Sequence, residues 1–199
     1  KYYITMKMNV FILLAAVFFD GLTLSAQTIT DHENGKYSLS VGQVTLTVDA
    51  SKGGKIISYR YDDKEILSQT RIPNSFGSTF WTSPQSEWNW PPVPEYDYKP
   101  FSAQIKDASL VLTGEKSPRF GYRVRKEFTS NAKNQSIEIT YTLINESGET
   151  RKVAPWEISR VPNGGILFFD AKEATPANNM KGLPFEYKMK AAWYVLDED

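Results

Sequence analysis

Short segments of alternating polar and apolar residues recur along this chain, a pattern typical of half-buried strands. In the clearest, residues 136–143, Ile137, Ile139, Tyr141 and Leu143 share one side of the strand and the polar residues share the other. Further strands are predicted at residues 43–48, 55–61, 64–67, 108–113, 122–128, 151–158, 166–169 and 188–196. After residue 26 no segment keeps a helical period over three turns, so the pattern predicts an all-β fold, an antiparallel sandwich or barrel.

One segment departs from this pattern. Phe76–Phe101 holds eight aromatic and five proline residues. Because proline lacks the backbone N–H that a sheet requires, the segment is interpreted as a long loop. Its aromatic content argues against disorder, and long structured loops are usually functional.

The N-terminus reads as an export signal. Met6–Asn9 carries one positive charge, Val10–Phe19 is an apolar run, and Leu24–Ala26 offers small residues before a cut that leaves Gln27 first. A transmembrane anchor is the alternative, but it needs about 20 apolar residues. We therefore expect residues 1–26 to be a signal peptide, and residues 27–199 to form one domain in the periplasm or secreted, without a membrane span after cleavage.

Composition narrows the classes further. There is no cysteine, so folding depends on core burial and thiolate metal sites are excluded. The 23 basic and 23 acidic residues form no basic stripe, which argues against nucleic acid as a partner. No cluster has metal-ligand spacing and no cofactor is predicted, although an oxygen-ligated Ca²⁺ needs no fixed motif. Oligomeric state is left open.

Several motifs resemble a known superfamily. The GGKIIS segment at 53–58 and the DDKEIL hairpin at 62–67 resemble the opening of galactose mutarotase-like (aldose 1-epimerase-like) domains. The FWTSPQ, WNWPP and APWEI segments at 80–85, 88–92 and 154–158 are similar to an uncharacterised bacterial family within that superfamily. The resemblance implies an antiparallel β-supersandwich and a carbohydrate ligand. It also implies that this chain is the N-terminal and middle part of a longer protein, as expected from strand-like residues that run almost to Asp199.

The chain departs from the superfamily pattern at the catalytic residues. Mutarotases commonly use a His as acid and a Glu as base. Tyr141 and Asn145 match the residues that lead into the acid His, but the strand that follows contains no histidine, and His32 is the only one in the chain. Mutarotase chemistry is therefore not carried over to this sequence.

The aromatic segment supplies the candidate ligand site. An indole offers a flat apolar platform for the C–H face of a sugar, and neighbouring amides and charges can bond its hydroxyls. The candidate ligand-binding residues are Arg71, Trp81, Gln85, Trp88, Trp90 and Trp156. The alternative is that these rings cap the open end of the sandwich as core. Arg71 and the acids Glu87, Glu95 and Asp97 are also interpreted as solvated loop charges, with a glycosidase pair of two carboxylates as the alternative.

Glu157 and Arg160 are the candidate catalytic residues. A carboxylate beside the indole of Trp156 is desolvated and a nearby arginine opposes that effect, so either influence could tune it for proton transfer. The alternative is a structural ion pair. The leading hypothesis is an exported carbohydrate-binding domain. A sugar epimerase or related carbohydrate-active enzyme with Glu157 as acid/base, and a non-catalytic protein-interaction domain, are the alternatives.

Overall fold

The computed structural model describes residues 27–71, 75–171 and 185–196. The predicted signal peptide, residues 1–26, lies outside the described residues, as do residues 197–199 at the end of the chain. The described part consists mainly of strands in antiparallel sheets, which confirms the all-β prediction. No helix in these ranges is long and apolar enough to cross a membrane.

The strands are short and follow one another through tight turns. They are β1 (Gln27–Asp31), β2 (Lys36–Val41), β3 (Val44–Asp49), β4 (Lys55–Tyr61), β5 (Lys64–Glu65), β6 (Gln69–Thr70), β7 (Ser75–Phe76), β8 (Ser78–Ser83), β9 (Ser102–Lys106), β10 (Ser109–Thr113), β11 (Tyr122–Asn131), β12 (Ser136–Asn145), β13 (Ala154–Ser159), β14 (Gly165–Asp170), β15 (Glu186–Lys188) and β16 (Ala191–Leu196). Between β8 and β9 lie a 3-10 helix (Gln85–Glu87) and a short α-helix, α1 (Pro94–Asp97).

Two large sheets form a β-sandwich. The seven-stranded sheet has the order β1-β2-β3-β4-β8-β13, with β5 paired to β4, and the four-stranded sheet has the order β12-β11-β10-β9. Strands β14, β16 and β15 form a third sheet, and β6 pairs with β7. The core lies between the two large sheets, where Phe80 of β8 stacks on Tyr141 of β12 with ring centroids 4.8 Å apart.

Where the alternation was strict, the predicted strands are confirmed. The side chains of Ile137, Ile139, Tyr141 and Leu143 all pack against the core. The predicted hairpin is also present, since β4 and β5 pair across the turn at residues 62–63.

The interpretation of Phe76–Phe101 as one loop is wrong in its first part. β8 lies inside the seven-stranded sheet, paired to β4 on one side and to β13 on the other. The prolines begin only at Pro84, and residues 79–82 are β-branched or aromatic, which suits a strand. The remaining residues, 84–101, form the connection that carries the 3-10 helix and α1.

A buried lysine joins the two large sheets. Lys126 of β11 is 2% exposed, and its Nζ donates to the carbonyl oxygens of Gly53 and Gly54, at 2.8 and 3.2 Å. These glycines form the turn between β3 and β4 in the opposite sheet. The ammonium also lies over the rings of Phe80 and Phe101, 5.2 and 5.4 Å from their centroids. Such contacts offset part of the cost of burying a charge.

Burial lowers the pKa of Lys126 to about 8, although the nearby carboxylates of Glu157 and Asp97 act in the opposite direction. A lysine in the unfolded chain titrates near 10.5, so between pH 8 and 10 the unfolded state binds more protons than the folded state. The free energy of unfolding should therefore rise with pH in this window, by at most about 1.4 kcal/mol per pH unit for one proton. Above pH 10 the buried Tyr122, whose pKa burial raises to about 12, acts in the opposite sense.

We expect Lys126→Met to reduce this rise, measured by urea unfolding at pH 7.5, 8.5 and 9.5. Lys106→Met is the matched control, because Lys106 is exposed on β9 and its replacement should leave the slope as in the wild type. A slope in Lys126→Met equal to that of the control would contradict the assignment.

Candidate functional site

Four tryptophans meet where β8 and β13 pair in the seven-stranded sheet. The ring of Trp81 makes edge-to-face contacts with Trp88, Trp90 and Trp156, with centroids 5.8, 5.9 and 5.7 Å apart. This is the geometry that aromatic quadrupoles favour. We call these four residues the tryptophan cluster, with Trp81 at its centre.

Different parts of the chain bring these rings together. Trp156 lies directly opposite Trp81 in the antiparallel pairing of β13 with β8. Trp88 follows the 3-10 helix, is 3% exposed and donates its indole N–H to the carbonyl of Thr82 at 2.9 Å. Trp90 is 69% exposed and Trp156 is 36% exposed. The cluster therefore runs from the core at Trp88 to the solvent at Trp90.

Asp97 fixes the orientation of Trp81. The indole Nε1 donates to Oδ1 of Asp97 at 2.8 Å. Asp97 is the last residue of α1, and its backbone lies against the Gly53 turn, where a Cβ would stand 2.2 Å from the Asp97 carbonyl oxygen. Gly53 has φ of +65°, so a side chain is disfavoured there both by conformation and by space.

A cleft of about 580 Å³ opens beside Trp81. Such a volume suits a small organic ligand. Its walls combine aromatic rings, proline rings and charged side chains. The lining residues are Lys52, Lys55, Ser75, Phe76, Thr79, Trp81, Trp90, Pro91, Pro92, Asp97, Tyr98 and Arg160.

Positive charge dominates the polar part of the cleft. Arg160 is anchored by hydrogen bonds from Nη1 to Oγ1 of Thr79, at 3.0 Å, and to the carbonyl of Ile158, at 3.3 Å. Lys55 lies over the ring of Phe76, with Nζ 3.7 Å from its centroid. Burial and the positive charge of Arg160 lower the pKa of Lys55 to about 8, although Asp97 opposes the change.

Glu157 lies on the other face of the sheet. It is paired with Phe80, a core residue, and Oε1 accepts a hydrogen bond from Ser78. Burial, followed by the charge of Glu157, raises the pKa of Tyr141 above its usual range. The structure therefore separates the two candidate catalytic residues, because Glu157 faces the interior while Arg160 lines the cleft.

The other candidates are distributed over four places. Trp81 and Trp90 line the cleft, whereas Trp88 packs as part of the core. Gln85 and Trp156 border a neighbouring shallow depression. Arg71 lies beside the cleft, its guanidinium 3.6 Å from the ring centroid of Phe76.

The connection between β8 and β9 also has a structural role. Tyr96 is buried, stacks on Tyr122 and donates its hydroxyl to the Tyr122 carbonyl at 2.9 Å. Glu95 is 6% exposed and accepts from Lys99 at 2.8 Å, while Glu87 accepts from the Tyr122 hydroxyl at 2.9 Å. The interpretation of Glu95 as a solvated loop charge is therefore wrong. Part of the aromatic segment does cap the end of the sandwich.

Several residues of the cleft were not predicted. Lys52 and Lys55 flank the Gly53 turn, Phe76 ends β7, and Tyr98 follows α1. No motif connects these positions, because they converge only through the pairing of β4 with β8 and the docking of α1. The sequence did offer a sign that Glu157 and Arg160 would be separated. In an extended segment, side chains three residues apart point to opposite faces.

Comparison with protein-family models, with curated proteins and with solved structures returned no match. Within the described residues, no group of three or more His, Asp or Glu side chains is placed to hold a metal ion.

We expect Asp97→Ala to destabilise the protein by about 1–2 kcal/mol, because the indole N–H of Trp81 loses a charged acceptor. Asp97→Asn is the matched variant, since its amide oxygen can still accept, and it should cost less than half as much. Chemical denaturation measures both. Equal stability of the alanine variant and the wild type would show that the bond does not fix Trp81.

Proposed function

We propose that this protein is a carbohydrate-binding domain that holds a sugar in the cleft beside Trp81. The observation that carries the proposal is Trp90, an indole that is 69% exposed yet held in place by its edge contact with Trp81. Trp90 and the exposed Tyr98 line the same cleft, and contiguous exposed apolar surface often marks a ligand-binding groove. A rigid indole matches the C–H face of a sugar, since it stacks without losing side-chain freedom.

The rest of the cleft supports the same ligand class. Tyr98, 59% exposed, offers a second ring with a hydroxyl. Lys55, Arg160 and Asp97 offer donors and an acceptor for sugar hydroxyls within the same cleft. A few polar groups among aromatic walls are the usual composition of a small-molecule site.

The finer parts of the proposal stay predictions. They are membership of the galactose mutarotase-like superfamily, a supersandwich fold and a periplasmic or secreted location. We propose no reaction, because Glu157 faces the interior of the sandwich. The epimerase alternative predicts faster interconversion of sugar anomers that collapses in Glu157→Gln. The interaction-domain alternative predicts a concentration-dependent oligomer and no response to sugars.

Tryptophan fluorescence tests the proposal directly. Four of the chain's five tryptophans belong to the tryptophan cluster, so Trp193→Phe confines the signal to that cluster, two of whose rings line the cleft. In this background we expect a saturable fluorescence change with at least one member of a sugar panel. Trp90→Ala should weaken binding at least tenfold, measured by calorimetry, with little change in stability because the ring is mostly exposed.

Tyr61→Ala serves as the control, since Tyr61 is 51% exposed and lies outside the cleft lining. Its affinity should equal that of the wild type. If Trp90→Ala bound the sugar as tightly as this control, or if no sugar changed the fluorescence, the proposed site would be refuted.

A further inference from the structure

Three of the four charged side chains that line the cleft are positive. Lys52, Lys55 and Arg160 line it together with a single carboxylate, Asp97. Arg71 lies just beyond, on the ring of Phe76, which Lys55 also contacts. One aromatic ring is thus shared by two cations, an arrangement that brings like charges together.

These cations have little internal compensation. Among the described residues, no carboxylate forms a salt bridge with Lys52, Lys55 or Arg160. Asp97, the one acid in the cleft, accepts the indole N–H of Trp81. Elsewhere in the fold arginines and lysines form salt bridges, for example Arg123 with Glu146 at 3.0 Å and Lys99 with Glu95 at 2.8 Å.

Arg160 is also held in a fixed position. Nη1 bonds to Thr79 and to the carbonyl of Ile158, so the guanidinium is oriented on the sheet surface before any ligand arrives. Pre-oriented cations bind anions with a smaller loss of side-chain freedom, and a guanidinium matches the planar geometry of a carboxylate.

We propose that the sugar bound in this cleft carries a negatively charged group, with Lys55 and Arg160 binding the carboxylate or sulfate while the indole of Trp90 covers the ring. This inference rests on the proposed carbohydrate-binding function and narrows it to acidic sugars. Burial, followed by repulsion from Arg160, Arg71 and Lys52, lowers the pKa of Lys55 to about 8, although Asp97 opposes the change. A bound anion would relieve that repulsion.

The test compares acidic sugars with matched neutral sugars. Calorimetry is performed at pH 7 with galacturonate and glucuronate beside the methyl ester of each, and with galactose 6-sulfate beside galactose. We expect at least one acidic sugar to bind about tenfold tighter than its neutral counterpart, with the preference falling as salt is added. Tighter binding of the sulfate than of the uronates would identify a sulfate ester as the charged group, and the reverse a carboxylate.

Lys55→Gln should reduce the ratio of acidic to neutral affinity about tenfold, and Lys52→Gln should reduce it less. Lys52 is exposed, so its variant keeps the test valid if Lys55→Gln folds poorly. Lys106→Gln, which removes an exposed charge on β9, should keep the wild-type ratio.

The two proposals fail in different ways. Equal binding of the esters and the acids, unaffected by Lys55→Gln and Lys52→Gln, would overturn the preference for acidic sugars and leave carbohydrate binding intact. Failure of every acidic and neutral sugar to bind would overturn both.

Discussion

The contact on which the rest of the structure depends is that between the buried ammonium of Lys126 and the Gly53-Gly54 turn. It joins β11 of one sheet to the β3–β4 connection of the other through two carbonyl oxygens. Because an unpaired buried charge would be costly, the turn has to remain where its carbonyls meet Nζ. Lys126 therefore fixes both the spacing of the sheets and the position of one turn.

That turn then positions the site. Gly53 donates its backbone N–H to the Lys99 carbonyl at 3.0 Å, and its lack of a side chain lets the Asp97 carbonyl approach closely. Asp97 in turn holds the indole of Trp81, the ring that the other three tryptophans contact. A buried charge in the core is thus linked, through backbone and one carboxylate, to the orientation of the aromatic wall.

The sequence predicts the features that depend on a local residue pattern, and it does not predict those that depend on contacts between distant parts of the chain. Strands β11 and β12 were predictable, because buried residues alternate with partly buried ones along β11 and apolar residues alternate with polar ones over residues 136–143 of β12. β8 was not, since its aromatic residues merge with the proline-rich segment that follows. β1 was missed because most of its residues are exposed and the strand carries little hydrophobic pattern. In the site, composition identified Trp81 and Trp90, but Lys55 and Arg160 meet only through strand pairing between distant parts of the chain.

The charged side chains on the two faces of the seven-stranded sheet have different surroundings. On the inner face Lys126 and Glu157 influence each other in a region of low dielectric, and each has polar partners, the glycine carbonyls and Ser78. On the outer face Lys55 and Arg160 share the cleft with Asp97, whose Oδ1 is used by an indole. Asp97 keeps its negative charge and opposes the lowering of the Lys55 pKa, but it is one carboxylate against the three cations Lys52, Lys55 and Arg160. Glu157 lies on the opposite face of the sheet, so the charged side chains that line the cleft are three cations and one carboxylate.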